Sequence, residues 1–389
     1  MPRALFLKGR LMHFITDAWV RPGSELKRLP GRLAGRLCER FHPELASANV
    51  SNFTRQLVLS ELIWRAQRRK GWNLFIERNR WFQRKAVDEL TKVVEHPGER
   101  TVILAHSYAA LNIFKHAKSR GWATVLAQID PGEEHYRTVR RVSEERPEYG
   151  EPPAPPPAGY FEAWREECSL ADRIIVNSPW AREALERAGV PSLKLRVVPL
   201  TYEPEVNATG FQRRYPTAFE PSRPLKALFV GHASVVKGVP ALLEAMDLLR
   251  DVPLEVRMVG EASLTLRQRF QSHQSVRWLG QVSRSVVMDH CRECDVLVFP
   301  SLSDGFGMAQ VEAQGWQLPV IASRFCGQVV RDGINGILLP EVTPAAIAAA
   351  LRRVAARPEL LSQFSINAGR SGQSGLSGLA SDLLGLEPA

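Results

Sequence analysis

From Thr101 onward the chain alternates short apolar runs with amphipathic segments, and few folds accept that rhythm. Val102–Ala105, Thr124–Gln128, Arg173–Val176 and Leu195–Val198 are runs of strand length. Helical patterns fall between them, at about 109–120, 161–171 and 180–187. The rhythm resumes after residue 224. Strands are expected at 227–230, 255–259, 277–279, 296–299, 320–322 and 337–339. Helices are expected at 240–249, 285–291, 307–314 and 344–355. Near-continuous apolar runs belong to strands buried on both faces, and helices between them make βα units on a parallel sheet. Residues 201–223 are polar and carry Pro204, Pro216 and Pro221, which reads as a hinge between two such sheets. The expected fold is therefore α/β, with two doubly wound domains facing each other across a cleft. Residues 1–200 form the first lobe, 224–357 the second, and 358–389 a Gly/Ser-rich tail placed to pack back on the first lobe. Ligands of such sheets sit outside the carboxyl ends of the strands.

The first hundred residues follow this rhythm poorly. Ala4–Leu7, Leu11–Ile15 and Leu74–Ile76 are short apolar runs with the length of strands. Residues 53–69 and 81–94 have helical periodicity. This quarter also holds the whole charge excess. It carries 20 Lys and Arg against 10 Asp and Glu, while the chain as a whole has 51 against 41. A basic face attracts polyanions or anionic headgroups. With Trp64, Trp72 and Trp81 among arginines, a peripheral contact with the inner face of a membrane is one reading, and a well-solvated surface is the other. Nucleic acid is not an expected partner, because the remaining 289 residues are charge-balanced and no nucleic-acid-binding motif is present.

Composition removes several classes. At 44% hydrophobic and 24% charged residues the chain is neither disordered nor fibrous. No run approaches the roughly 20 apolar residues of a spanning helix. Cys38, Cys168, Cys291, Cys294 and Cys326 are odd in number and scattered, which suits the reducing cytoplasm. Cys291 and Cys294 lack partners at zinc spacing and read as core residues, so no metal ligand is expected.

Two segments carry chemistry. After the run ending Phe299-Pro300 come Ser301-Leu302-Ser303-Asp304-Gly305-Phe306-Gly307-Met308 and then a helix containing Glu312. Gly305 and Gly307 let backbone N–H groups approach a ligand closely, and a helix start adds free donors and the positive end of its dipole. That combination suits a phosphate or diphosphate. The second segment follows the first strand of the same lobe: Val230-Gly231-His232, then Lys237-Gly238 before a helix. A lysine there is placed to meet the same phosphates.

Together these residues resemble the C-terminal domain of the family-4 glycosyltransferases, retaining enzymes of the GT-B architecture. Further matching stretches are Trp278-Leu279-Gly280-Gln281-Val282, Pro319–Ser323 and Asp332–Gly336. The resemblance covers about 225–355 well, is looser over 101–200, and is poor over 1–100. It implies a transferase that moves a sugar from a nucleotide-diphosphate sugar to a hydroxyl acceptor: a polysaccharide, a glycolipid or a small glycoside. A UDP-sugar is the default donor, with GDP- and ADP-sugars as alternatives, and no separate cofactor is implied. Glu312 would bind the ribose hydroxyls and Asp304 hydroxyls of the donor sugar. Lys237, with Gly231, His232 and the backbone of Gly305, Phe306, Gly307 and Met308, would neutralise the leaving diphosphate. Gly280, Gln281 and Val282 would lie against the base, and His106 would face the reacting sugar.

There are three departures. Asp304 stands where the family has Glu. His232 replaces the family's Arg beside the lysine. The N-terminal glycine-rich loop is missing. The first two motivate the alternative of a non-catalytic nucleotide-sugar or glycan-binding module on a degenerate scaffold.

Overall fold

The computed structural model describes every residue except 22, 25–39, 94–99, 205–207, 209, 272, 371–374 and 387–389, so Cys38 lies outside the described residues. In the first lobe, β1 (Phe14–Thr16) pairs in parallel with β2 (Val50–Asn52) as a separate ribbon. A four-stranded parallel sheet follows, with β3 (Val102–His106), β4 (Ala123–Ala127), β5 (Arg173–Val176) and β6 (Leu195–Val197) in sequential order. Successive residues of a strand face opposite sides. Leu126, Ile174 and Val176 accordingly pack with Phe114, Trp164 and Leu185 on one face. Val125 and Ile175 pack on the other with Ala4 from helix Pro2–Leu7 and with Leu379, Ala380 and Leu383 from helix Gly375–Leu384. Both ends of the described chain thus close one face of this sheet. Each fully buried Leu or Ile contributes about 1.5–3 kcal/mol.

The second lobe holds a six-stranded parallel sheet. Its strands are β7 (Leu225–Val230), β8 (Leu254–Val259), β9 (Val276–Gly280), β10 (Val296–Phe299), β11 (Val320–Ser323) and β12 (Gly336–Leu339). Their order is β12-β11-β10-β7-β8-β9. The winding therefore reverses between β7 and β10. Leu242, Leu243, Ile347 and Leu351 cover one face, and Met288, Cys291, Ala313 and Trp316 the other. The four described cysteines are free and buried, and among the described residues no helix is long and apolar enough to cross a membrane. The segment joining the lobes lies against the second: Phe211 meets Trp316 edge-on at 5.6 Å, and the Arg213 guanidinium donates to the carbonyls of Trp316, Cys291 and Cys294.

Several local expectations are corrected. Leu74–Ile76 lies inside helix Gly71–Leu90, not in a strand. Its Leu74 packs with Trp64 and Trp81, at a helical spacing that a three-residue apolar run conceals. Ala4–Leu7 is helical because Pro2 suits a first helical turn and Ala4 and Leu5 meet the tail helix. The charged stretch after Asp130 is helix Gly132–Glu145, laced by the pairs Arg137–Glu133, Arg140–Glu144 and Arg141–Glu145 at i,i+4. Much of the Gly/Ser-rich tail is helical as well, over Pro358–Arg370 and Gly375–Leu384.

Candidate active site

The reversal between β7 and β10 places two loops side by side at the carboxyl ends of those strands. They are tied together by the Leu302 N–H, which donates to the Val236 carbonyl at 2.7 Å. Two glycines allow the approach. Gly238 has φ +69°, and a Cβ there would stand 1.9 Å from the Pro300 carbonyl oxygen. Gly307 has φ +81°, and a Cβ there would stand 2.5 Å from the Phe299 ring. Neither position accepts a side chain. The result brings the Lys237 ammonium to 2.5 Å from the Asp304 carboxylate, with the ammonium 5.7 Å above the Phe299 ring centre. Helix Met308–Gly315 begins at the same place. Gln310, fully buried, donates to the Phe306 carbonyl at 3.0 Å and fixes the turn that precedes the helix.

Glu312 is one turn further along this helix. Its carboxylate accepts from the Arg284 guanidinium at 3.2 Å, and Arg284 follows the loop Gly280–Val282 that leaves β9. Burial pushes the Glu312 carboxyl upward and Arg284 opposes it. Gly280 has φ +67° with open space beside it. His232, after Gly231 at the end of β7, is exposed. The second lobe thus presents Lys237 with Asp304, then a helix start, then Glu312 with Arg284 near the 280–282 loop.

The first lobe meets this edge through residues that sequence reasoning passed over. A Cβ on Gly305 would stand 2.4 Å from the Ile129 carbonyl oxygen and 3.3 Å from the Asp130 Cα, so the lobes touch there. His135 Nδ1 lies 3.0 Å from Ser303 Oγ, and the Trp180 ring N–H donates to the same oxygen at 3.3 Å. Burial holds His135 below the usual histidine range. Asp130 and Asp304 oppose that shift, and Lys237 adds to it. His135 is therefore held neutral against Ser303, within reach of the charges of Lys237 and Asp304. No motif marks it.

Asp130 is itself fixed. One of its oxygens accepts from the Tyr108 hydroxyl at 2.7 Å, from the Gln128 amide at 3.0 Å and from the Gly132 N–H at 2.9 Å. Tyr108 has φ 70°, rare for a bulky residue. Its N–H donates to the buried Glu167 carboxyl at 2.7 Å. His106 ends β3 in register with Ala127. Burial shifts it downward, and the Ala127 carbonyl opposes that shift. At this edge the contacts to the second lobe come from Ile129, Asp130, His135 and Trp180, whereas His106 stands one strand over; a second contact lies apart from it, where Arg146 and Tyr149 bond to Glu244 and Tyr149 stacks on Phe270. A cavity of about 500 Å³, lined by Lys118, Asp172 and Lys194, lies at the opposite, amino end of β5. Volume does not locate this site; convergent polar groups do.

Residues 224–357 match the glycosyl transferases group 1 family. That group 1 domain spans all six strands of the second sheet. A relative named D-inositol 3-phosphate glycosyltransferase, from Geodermatophilus obscurus, is 30% identical over 289 residues, 68% of this chain and 62% of its own length. The chain therefore matches less than two thirds of that relative. Sucrose-phosphate synthase from Thermosynechococcus elongatus superposes with a TM-score of 0.65 at 18% identity, over 99% of this chain and 90% of its own. HepE from Anabaena, solved in complex with UDP, gives 0.60 at 16% identity, over 96% and 98%. At such identities these structures speak to the fold, which is GT-B.

Proposed function

We propose that the protein is a retaining glycosyltransferase that moves a sugar from a UDP-sugar to a hydroxyl acceptor. The observation that carries this reading is the meeting of Lys237, Asp304 and the start of helix Met308–Gly315 at the β7–β10 reversal, with Glu312 on the same helix. The matched family and the UDP complex of HepE support the donor class.

Each group has a chemical task. Glu312 takes the ribose hydroxyls, with Arg284 orienting its carboxylate. Gly280–Val282 lie along the base. Lys237 and the N–H groups of Gly305–Met308 face the departing diphosphate. Asp304, fixed by Lys237, accepts from hydroxyls of the donor sugar. In the reaction the bond from the anomeric carbon to the β-phosphate oxygen breaks, and the acceptor oxygen bonds to that carbon on the same face. The acceptor proton passes to the departing phosphate oxygen. Fixed donors aimed at the leaving charge supply much of the rate, about 3–4 kcal/mol for a single donor. His106, Asp130 and His135 form the acceptor side, where a neutral His135 shares a proton without adding charge.

Thermal shift with UDP, GDP and ADP and their sugars tests the donor site, followed by an assay of sugar release. A ligand at a hundred times its dissociation constant adds about 2.7 kcal/mol. UDP and a UDP-sugar are expected to stabilise the protein, and released sugar to accumulate slowly without acceptor. No stabilisation by any of the three nucleotides would overturn the reading. Stabilisation with no sugar release under any condition would leave a binding module.

A further inference from the structure

Helix Thr54–Ala66 turns an apolar stripe outward, although Leu57 and Val58 pack inward. Its buried side is partly polar: Thr54, Glu61 and Trp64 are buried, and the Glu61 carboxylate takes a two-pronged bond from Arg78 at 2.5 and 2.6 Å. Its outer side is apolar. Leu59 is 61% exposed, and Leu62 and Ile63 are each 55% exposed. At i, i+3 and i+4 these three stand together on one face, and Ala66 extends the stripe by a turn. A solvated helix shows the reverse pattern. The stripe is rimmed by exposed cations: Arg55 one turn before it, and Arg65, Arg68 and Lys70 at its far end. Glu61 is turned inward, so no carboxylate of this helix joins the rim.

We propose that this stripe docks on an anionic membrane, the leucines and isoleucine entering the headgroup boundary and the cations meeting the lipid charge. Charge complementarity selects this occupant, because the first hundred residues hold 20 basic against 10 acidic side chains. The next helix, Gly71–Leu90, links the docked face to the acceptor side. Trp72 meets Tyr160 at 4.8 Å between ring centres, Tyr160 stacks on Tyr108 at 5.3 Å, and Tyr108 holds Asp130. The acceptor then is a hydroxyl compound carried by the membrane. That last step rests on the transferase reading; the docking does not.

The full-length protein is sedimented with vesicles of phosphatidylcholine alone and of phosphatidylcholine mixed with phosphatidylglycerol. Two variants are compared: Leu59→Ser/Leu62→Ser/Ile63→Ser, and Arg55→Glu/Arg65→Glu/Arg68→Glu. Each basic side chain near an anionic surface is worth roughly fivefold in partitioning, so the charge variant is expected to lose on the order of a hundredfold. The serine variant is expected to lose binding as well, while both keep their stabilisation by UDP. Wild type that ignores the mixed vesicles, or binds both kinds equally, would overturn the proposal. So would a wild-type dimer in light scattering that only the serine variant splits, because the stripe would then be covered by a second copy. Loss of UDP stabilisation in the wild type would strike the transferase reading alone.

Discussion

At the edge that carries the candidate site, the two lobes bring opposite chemistry together. The second lobe supplies charge held in pairs, Lys237 with Asp304 and Arg284 with Glu312. The first supplies a carboxylate wrapped in neutral donors, Asp130 with Tyr108, Gln128 and the Gly132 N–H, and a histidine kept neutral by burial. Paired charges can be re-partnered by a diphosphate and a ribose, each of which replaces a partner already present. A carboxylate saturated by neutral donors suits a hydroxyl group. This division of labour is testable, since donor-side changes are expected to abolish nucleotide binding and acceptor-side changes to leave it intact.

The largest expected effects lie on the donor side. On the proposed reading, Lys237→Ala removes the cation facing the leaving diphosphate, and Glu312→Ala removes the ribose anchor. Each is expected to lower turnover by about a hundred- to a thousandfold, the cost of one fixed donor to developing charge. Glu312→Ala should also abolish stabilisation by UDP, with little change in the melting point of the free protein. Wild-type turnover in either variant would remove the assignment.

Gly305→Ala pushes the lobes apart at this contact. Its backbone is not in the left-handed region, so only space matters, and the new Cβ would meet the Ile129 carbonyl oxygen at 2.4 Å. The expected outcome is a wider mean lobe separation in small-angle scattering and turnover down about a hundredfold, the cost of an ångström of misplacement. Unchanged turnover would mean that the two edges do not act together.

The second lobe was more legible than the first for a physical reason. Its signals are local: the runs 227–230 and 296–299 and the glycines at 238 and 307 specify strand, turn and helix within a dozen residues. The first lobe is held by long-range contacts that leave little trace in sequence. His135 meets Ser303 from 168 positions away. Helix Gly132–Glu145 buries little apolar surface, chiefly at Val142, so its periodicity was hidden under charge. Leu74–Ile76 read as a strand because three apolar residues do not show a period; Trp64 and Trp81 decide it. Of Trp64, Trp72 and Trp81, the first and last join the core and Trp72 stays half-buried. His106 stands out through a resemblance, whereas Asp130 and His135 are the polar first-lobe residues placed beside Ser303 and Gly305.

A smaller effect concerns how the acceptor side is built. The Glu167 carboxyl accepts from the N–H groups of Tyr108, Ala110 and Leu111. Burial outweighs those bonds and pushes it up to about 7. The folded state therefore favours the protonated form. Its contribution to stability is complete below the ordinary value of 4.5 and is lost as pH rises through about 7. Melting temperature measured across that window should fall with rising pH more steeply in the wild type than in Glu167→Gln, which stays neutral throughout. Equal slopes would assign the pH dependence elsewhere.

The smallest expected effect is also the most discriminating. Tyr108→Phe deletes one hydroxyl and leaves the ring stacked on Tyr160. Asp130 keeps its bonds from Gln128 and from the Gly132 N–H, so the carboxylate is loosened rather than orphaned. A hydrogen bond to a charged group is worth about 1.5–3 kcal/mol, and the two remaining donors reduce the cost toward the lower end. The strained φ of 70° survives, because the Glu167 carboxyl still takes the residue's N–H. The change should therefore appear in the KM for acceptor, raised about tenfold by an energy of that size, with UDP stabilisation and donor hydrolysis at wild-type values. If donor hydrolysis fell with it, Asp130 would belong to the donor site across the gap, and the separation of the two edges into a charged half and a neutral half would fail at the residue that best defines it.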